Sequence, residues 1–161
     1  MNILNQAPRR LEPEMNELAL GKGRAYRPRL AIVAHDGKKA DLVAFATFNR
    51  DRLQRCELIA TGTTGRLLVE KVGLNVERME SGPIGGDVQI ASRIVDGRID
   101  AVVFVVDPLD KHPHDPDIQT LLRICNVRNV PLATNIATAD ILICSSLFWR
   151  VETNADRELV G

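Results

Sequence analysis

Apolar residues in this chain fall into two patterns: short uninterrupted runs, and longer stretches in which they recur every three or four positions. The short runs lie at residues 30–34, 57–60, 101–106 and 130–133, with a weaker one at 76–79. The longer stretches cover residues 38–48, 64–71, 86–95, 117–127 and 138–145. Such alternation predicts five βα units in a three-layer α/β domain, an open sheet of about five mainly parallel strands with helices on both faces. The run Ala101, Val102, Val103, Phe104, Val105 and Val106 has no polar position. A strand covered on both faces reads this way, so it is the expected centre of the sheet. Ile118, Leu121, Leu122 and Cys125 recur at helical spacing and predict a core-facing stripe. Gly73, Gly97 and Asn129 each stand before a strand run, where helices commonly stop in a left-handed residue.

Composition narrows the class. With 161 residues, 45% hydrophobic and 26% charged, the chain suits one folded domain with a single core. Lys plus Arg and Asp plus Glu both total 21, so no basic excess draws it to nucleic acid or anionic lipid. The visible asymmetry is at the start, where Arg9, Arg10, Lys22, Arg24, Arg27 and Arg29 outnumber Glu12, Glu14 and Glu17. Residues 1–28 are therefore expected to be a polar extension, a solvated arm or a subunit contact, ahead of a domain over 29–161. Cys56, Cys125 and Cys144 have no metal-binding spacing, and no apolar run nears the roughly 18 residues that span a bilayer. A soluble cytoplasmic protein is expected. The polar tail over 149–161 fits a short helix or a contact with a neighbouring subunit.

In open parallel sheets ligands bind beyond the carboxyl ends of the strands. The loops there hold His35, Asp36 and Lys39; Thr61, Gly62, Thr63, Thr64 and Gly65; Ser81, Gly82, Gly85, Gly86 and Asp87; Asp107; and, further on, His114 and Asp117, then Thr134 and Asn135. The Thr/Gly loop offers backbone N–H groups and up to three hydroxyls to a phosphate dianion, although Thr and Gly serve ordinary turns equally. The glycines after Ser81 permit close backbone approach or simply make a connector. Lys39 suits an anion or solvent. Asp87 opens a helix, so it reads either as a helix-end carboxylate or, directly after two glycines, as a functional one. Asp36 and Asp107 emerge from strands and either line the crevice or brace loops. Pro113 and Pro116 frame His114 and would present its imidazole rigidly; His112 lacks that framing.

Taken in order, these segments resemble the methylglyoxal synthase family from about residue 30 to 145. The likeness rests on His35 and Asp36 with Lys39, the Thr61 to Gly65 loop, Ser81 and Gly82 through Asp87, Asp107, His114 through Asp117, and Thr134 and Asn135 followed by Asp140. The resemblance implies a Rossmann- or flavodoxin-like fold that converts dihydroxyacetone phosphate to methylglyoxal and inorganic phosphate. Asp87 would be the catalytic base, and His114 would contact the reacting oxygens. His35, Lys39, Thr61, Gly62, Thr63, Thr64, Ser81 and Gly82 would hold the substrate. Asp36, Asp107 and Asp117 would be supporting carboxylates. An ordinary aspartate is a weak base for such a proton, so desolvation or neighbouring carboxylates should strengthen it. No metal, nucleotide or redox cofactor is implied. The family also implies a cytoplasmic homohexamer, inhibited by inorganic phosphate, acting in a bypass of glycolysis. Residues 1–28 lie outside the likeness, and Gly37 and Lys38 differ from their counterparts, a difference expected to matter little for the chemistry. Two other readings stand beside this one: a noncatalytic allosteric module of the same fold, and a sugar-phosphate isomerase that protects its enediol from elimination.

Overall fold

The computed structural model describes residues 27–110 and 115–149, with backbone alone at 115–118. Its five strands are β1 (Arg29–Ala34), β2 (Glu57–Ala60), β3 (Val76–Arg78), β4 (Ala101–Val105) and β5 (Leu132–Ala133). All pair in parallel, in the order β3-β2-β1-β4-β5. The first strand in sequence is therefore the middle of the sheet, with β4 beside it. The helices are α1 (Lys39–Phe48), α2 (Arg50–Leu53), α3 (Gly62–Leu67, continued as a wider π-type coil over Leu68–Val72), α4 (Gly86–Val95), α5 (Asp115–Arg128) and α6 (Ile136–Cys144).

Strand side chains alternate between two cores. Leu30, Ile32 and Val103 face Leu42, Phe45, Leu53, Leu68 and Ile143, which come from α1, α2, α6 and the coil after α3. Ala31, Val33, Ile59, Val102 and Phe104 face Ile90, Ile94, Leu121 and Cys125 of α4 and α5. Helices thus cover both faces, as the unbroken apolar runs require. Leu121 and Cys125 are 1% exposed, so this half of the expected stripe on α5 is core; Ile118 falls among the residues whose side chains are not described.

All three expected helix stops have positive φ: Gly73 at 72°, Gly97 at 67° and Asn129 at 53°. Each lets the chain reverse into the next strand. The short α2 has no counterpart in the hydrophobic pattern, and β5 is two residues long rather than four. Arg27 and Arg29 are not part of a solvated arm. Arg27 donates to the carbonyls of Gln54 at 2.7 Å and Cys56 at 2.7 Å. Arg29 forms a two-pronged pair with Asp100, at 3.0 and 2.8 Å, while its backbone N–H donates to the same carboxylate at 2.7 Å. The rest of the N-terminal lead, residues 1–26, and the tail beyond 149 lie outside the described residues. Among the described residues, no helix is long and apolar enough to cross a membrane.

Candidate active site

Parallel strands deliver the described loops to one edge of the sheet, and hydrogen bonds join those after the first four strands in two groups. The first lies over β1 and β4. His35 leaves β1 with its backbone N–H on the Val105 carbonyl at 3.1 Å. Its Nδ1 accepts the backbone N–H of Asp107 at 2.8 Å. That bond places the proton of the neutral ring on Nε2, leaving a donor edge opposite the acceptor edge. Phe104 packs edge-on to the imidazole, with centroids 5.1 Å apart. Asp107 also accepts from the Leu109 N–H at 3.1 Å. Its other carboxylate oxygen lies where a side chain on Gly37 would begin, 2.4 Å from that Cβ position. Gly37 therefore lies against Asp107, and a side chain there would displace the carboxylate. Lys39 begins α1, mostly buried, with its ammonium paired to the exposed Asp36.

The second group lies over β2 and β3. Thr61 ends β2 in extended backbone, and α3 follows with no side-chain cap. The Gly62 N–H is taken by the Glu80 carbonyl at 3.0 Å, which ties the Thr/Gly loop to the Ser81 loop. The Thr63 and Thr64 N–H groups are among the donors that a helix start leaves without an intrahelical partner. The Thr61 and Thr64 hydroxyls are buried and bonded to each other at 3.2 Å. This leaves Thr63 as the accessible hydroxyl of the three expected.

Gly86 fixes the remaining piece. A Cβ there would sit 1.8 Å from the Glu80 carbonyl oxygen, so only glycine allows this approach. Gly85, at φ 105°, turns the chain into α4. Asp87 follows in the first turn of α4, near the positive end of the helix dipole. Its Oδ1 is buried with no hydrogen-bond partner among the described residues. A carboxylate that merely tied off a helix end would be bonded to backbone N–H groups, and this oxygen is not. His114 lies outside the described residues; Asp117 is placed by its backbone in the first turn of α5. Among the described residues no group of three His, Cys, Asp or Glu is arranged to hold a metal ion. Sequence reasoning missed Gly37, Glu80 and Gln89, whose Oε1 accepts the Glu80 N–H at 2.8 Å. Two of these act through backbone or the absence of a side chain, which leaves little signal in residue type.

Fold and site together define an open parallel α/β domain with the Asp87 carboxylate, the His35 imidazole and the Thr/Gly loop all beyond the carboxyl ends of its strands. A family model described as "MGS-like domain" matches residues 41–134. The methylglyoxal synthase of Cupriavidus pinatubonensis is 58% identical over 117 residues, covering 73% of this chain and 90% of that protein. That of Burkholderia mallei is 52% identical over 128 residues, covering 80% and 98%. A crystal structure of methylglyoxal synthase from Elizabethkingia anophelis superposes with a TM-score of 0.73 at 41% identity, covering 84% of this chain and 91% of that one. The chain belongs to the methylglyoxal synthase family.

Proposed function

We propose that this chain is a methylglyoxal synthase, a lyase that converts dihydroxyacetone phosphate to methylglyoxal and inorganic phosphate. The observation that carries the reading is Asp87: a carboxylate with a buried, unpartnered oxygen, held by a glycine seated on the Glu80 carbonyl at the mouth of the crevice. An oxygen without a hydrogen-bond partner has its lone pairs open to a substrate proton, which is what a general base requires.

Asp87 takes a proton from the hydroxyl-bearing carbon next to the ketone. The electron pair left behind forms an enediolate, whose oxygen needs fixed donors. His114 serves the reacting oxygens, and His35, its ring oriented by the Asp107 backbone N–H, helps to bind the substrate. The enediolate then expels phosphate as the C–O bond breaks, and the enol product tautomerises to methylglyoxal. Lys39, Ser81, Gly82 and the loop of Thr61, Gly62, Thr63 and Thr64 hold the departing dianion. Asp36 keeps the Lys39 ammonium in place; Asp107 and Asp117 orient the crevice. The reaction is redox-neutral and needs no metal, nucleotide or redox cofactor.

Inorganic phosphate, as product and inhibitor, would occupy the same loop. The reading extends to a cytoplasmic homohexamer with no nucleic-acid or membrane partner, acting in a bypass of glycolysis. Phe48, Val127 and Ile141, 85%, 72% and 73% exposed, are apolar surface suited to neighbouring subunits. The test is incubation with dihydroxyacetone phosphate, trapping methylglyoxal while measuring released phosphate, with Asp87→Asn run in parallel. Equal amounts of both products from the wild type, and a loss of at least about a hundredfold in the folded variant, are expected. Phosphate binding without either product would instead favour the allosteric module, and glyceraldehyde 3-phosphate the isomerase.

A further inference from the structure

Beside the Thr/Gly loop lies a recess of about 700 Å³, larger than a triose phosphate needs, and Gly62, Thr63 and Ser81 form the wall it shares with the active site. The lining is also rich in arginine. Arg66 projects from α3 and Arg78 from the end of β3, both exposed, and both line the recess. The stem of Arg78 lies over Gly65, whose Cβ would come within 2.7 Å of the Arg78 Cγ, so the glycine that ends the Thr/Gly loop also seats this arginine. Arg93, a third arginine in the lining, is neutralised by Glu77 through contacts of 2.7 and 2.5 Å. Arg66 and Arg78 have no ion pair or hydrogen bond of their guanidinium groups among the described residues. Glu80, the carboxylate in the lining, is exposed and pairs with neither, so at least one positive charge stays uncompensated.

We infer that Arg66 and Arg78 form a second anion subsite contiguous with the phosphate loop, which takes the distal group of a ligand carrying two linked phosphates. The inference rests on the proposed phosphate-binding role of the loop. One phosphate occupies the loop, and the second, which a triose monophosphate lacks, reaches the two guanidinium groups. Planar guanidinium groups suit phosphate because each offers paired donors in a fixed fork. Such a ligand would exclude the substrate, making the recess an inhibitory subsite.

Calorimetric titration of the full chain with inorganic pyrophosphate and, separately, with orthophosphate tests this. Comparing the two affinities removes the part of the general loss of attraction that both ligands share, and Arg78→Lys, which keeps the charge without the fork, separates the rest. Pyrophosphate is expected to bind at least about tenfold more tightly than orthophosphate to the wild type, since a single charge-assisted contact contributes that much. In Arg66→Gln/Arg78→Gln the two affinities should become equal, with orthophosphate binding retained as the sign of an intact loop; glutamine keeps the methylenes that cover Gly65. Arg78→Lys should recover part of the difference. Equal affinities in the wild type, or an unchanged ratio in the double variant, would overturn the subsite. Because the readout is binding alone, it stands apart from whether methylglyoxal is formed.

Discussion

At the scale of single residues, three neighbouring glycines do different work. Gly86 is required by the Glu80 carbonyl at 1.8 Å, Gly85 by its φ of 105°, whereas a Cβ on Gly82 would meet nothing within 4 Å. Gly86→Ala must push the Ser81 loop away from the start of α4 and take Asp87 with it. The expected result is a fall of about 1–3 kcal/mol in unfolding free energy, read by urea denaturation, together with a loss of kcat. Gly82→Ala should leave the unfolding free energy within about 0.5 kcal/mol of the wild type. The sequence showed all three as one flexible-looking stretch, because residue type does not say which glycine a carbonyl leans on. Asp87 was legible through its place after the glycines; its unpartnered oxygen was not, since burial of one atom depends on chains brought from elsewhere. Likewise Thr61, Thr63 and Thr64 read alike, yet two of their hydroxyls turn inward to each other.

At the scale of elements, the pattern of apolar runs marked all five strands and the five longer helices because each is buried along a face that repeats at its own period. The starts of α3, α5 and α6 were each read two residues late. The α6 helix starts at Ile136 rather than 138 because Asn135 caps it, its Oδ1 accepting the Thr138 N–H at 2.8 Å. Asn135→Ala should therefore cost about 1 kcal/mol of stability, measured by chemical denaturation. Missing α2 had a different cause. It is a single turn after Asn49, a buried residue whose amide donates to the Phe45 carbonyl at 3.1 Å and to Asp140 at 2.9 Å. A one-turn helix has no period to detect, and the tie between α1 and α6 is a contact 91 positions apart.

At the scale of the whole molecule, the two cores set the behaviour of the thiols. Cys56 and Cys125 are buried, and desolvation is the main cause that pushes them from their ordinary 9.0 to about 12 and about 11; for Cys56, Arg27 and Arg55 pull the other way. Each is an acid whose neutral form the fold favours. Its contribution to stability is whole below pH 9, and it is lost as pH rises toward the folded values, because the unfolded chain releases those protons first. Stability should decline between about pH 9 and 11, where Cys56→Ala/Cys125→Ala would show a shallower slope. In the native protein a thiol reagent should modify Cys144, which is exposed, and reach all three cysteines only after denaturation. Cysteine spacing showed only the lack of a metal-binding pattern; which thiols are shielded follows from the order of the strands.

That order also governs how the protein comes into being on the ribosome. β1 emerges first and occupies the middle of the sheet, yet one of its edges waits for β4, and the carboxylate of Asp100 that clips Arg29 lies 71 positions later. Until then half of the central strand's backbone hydrogen bonds have no mate, and hydrophobic Ala31 and Val33 lack the cover of Val102 and Phe104. Stalled chains ending before residue 100 should stay sensitive to protease, and resistance should rise only once β4 and the α5 that follows it have left the exit tunnel. The same geometry withholds His35 from the Asp107 peptide that orients it, so this loop takes its shape only when the fold is nearly closed.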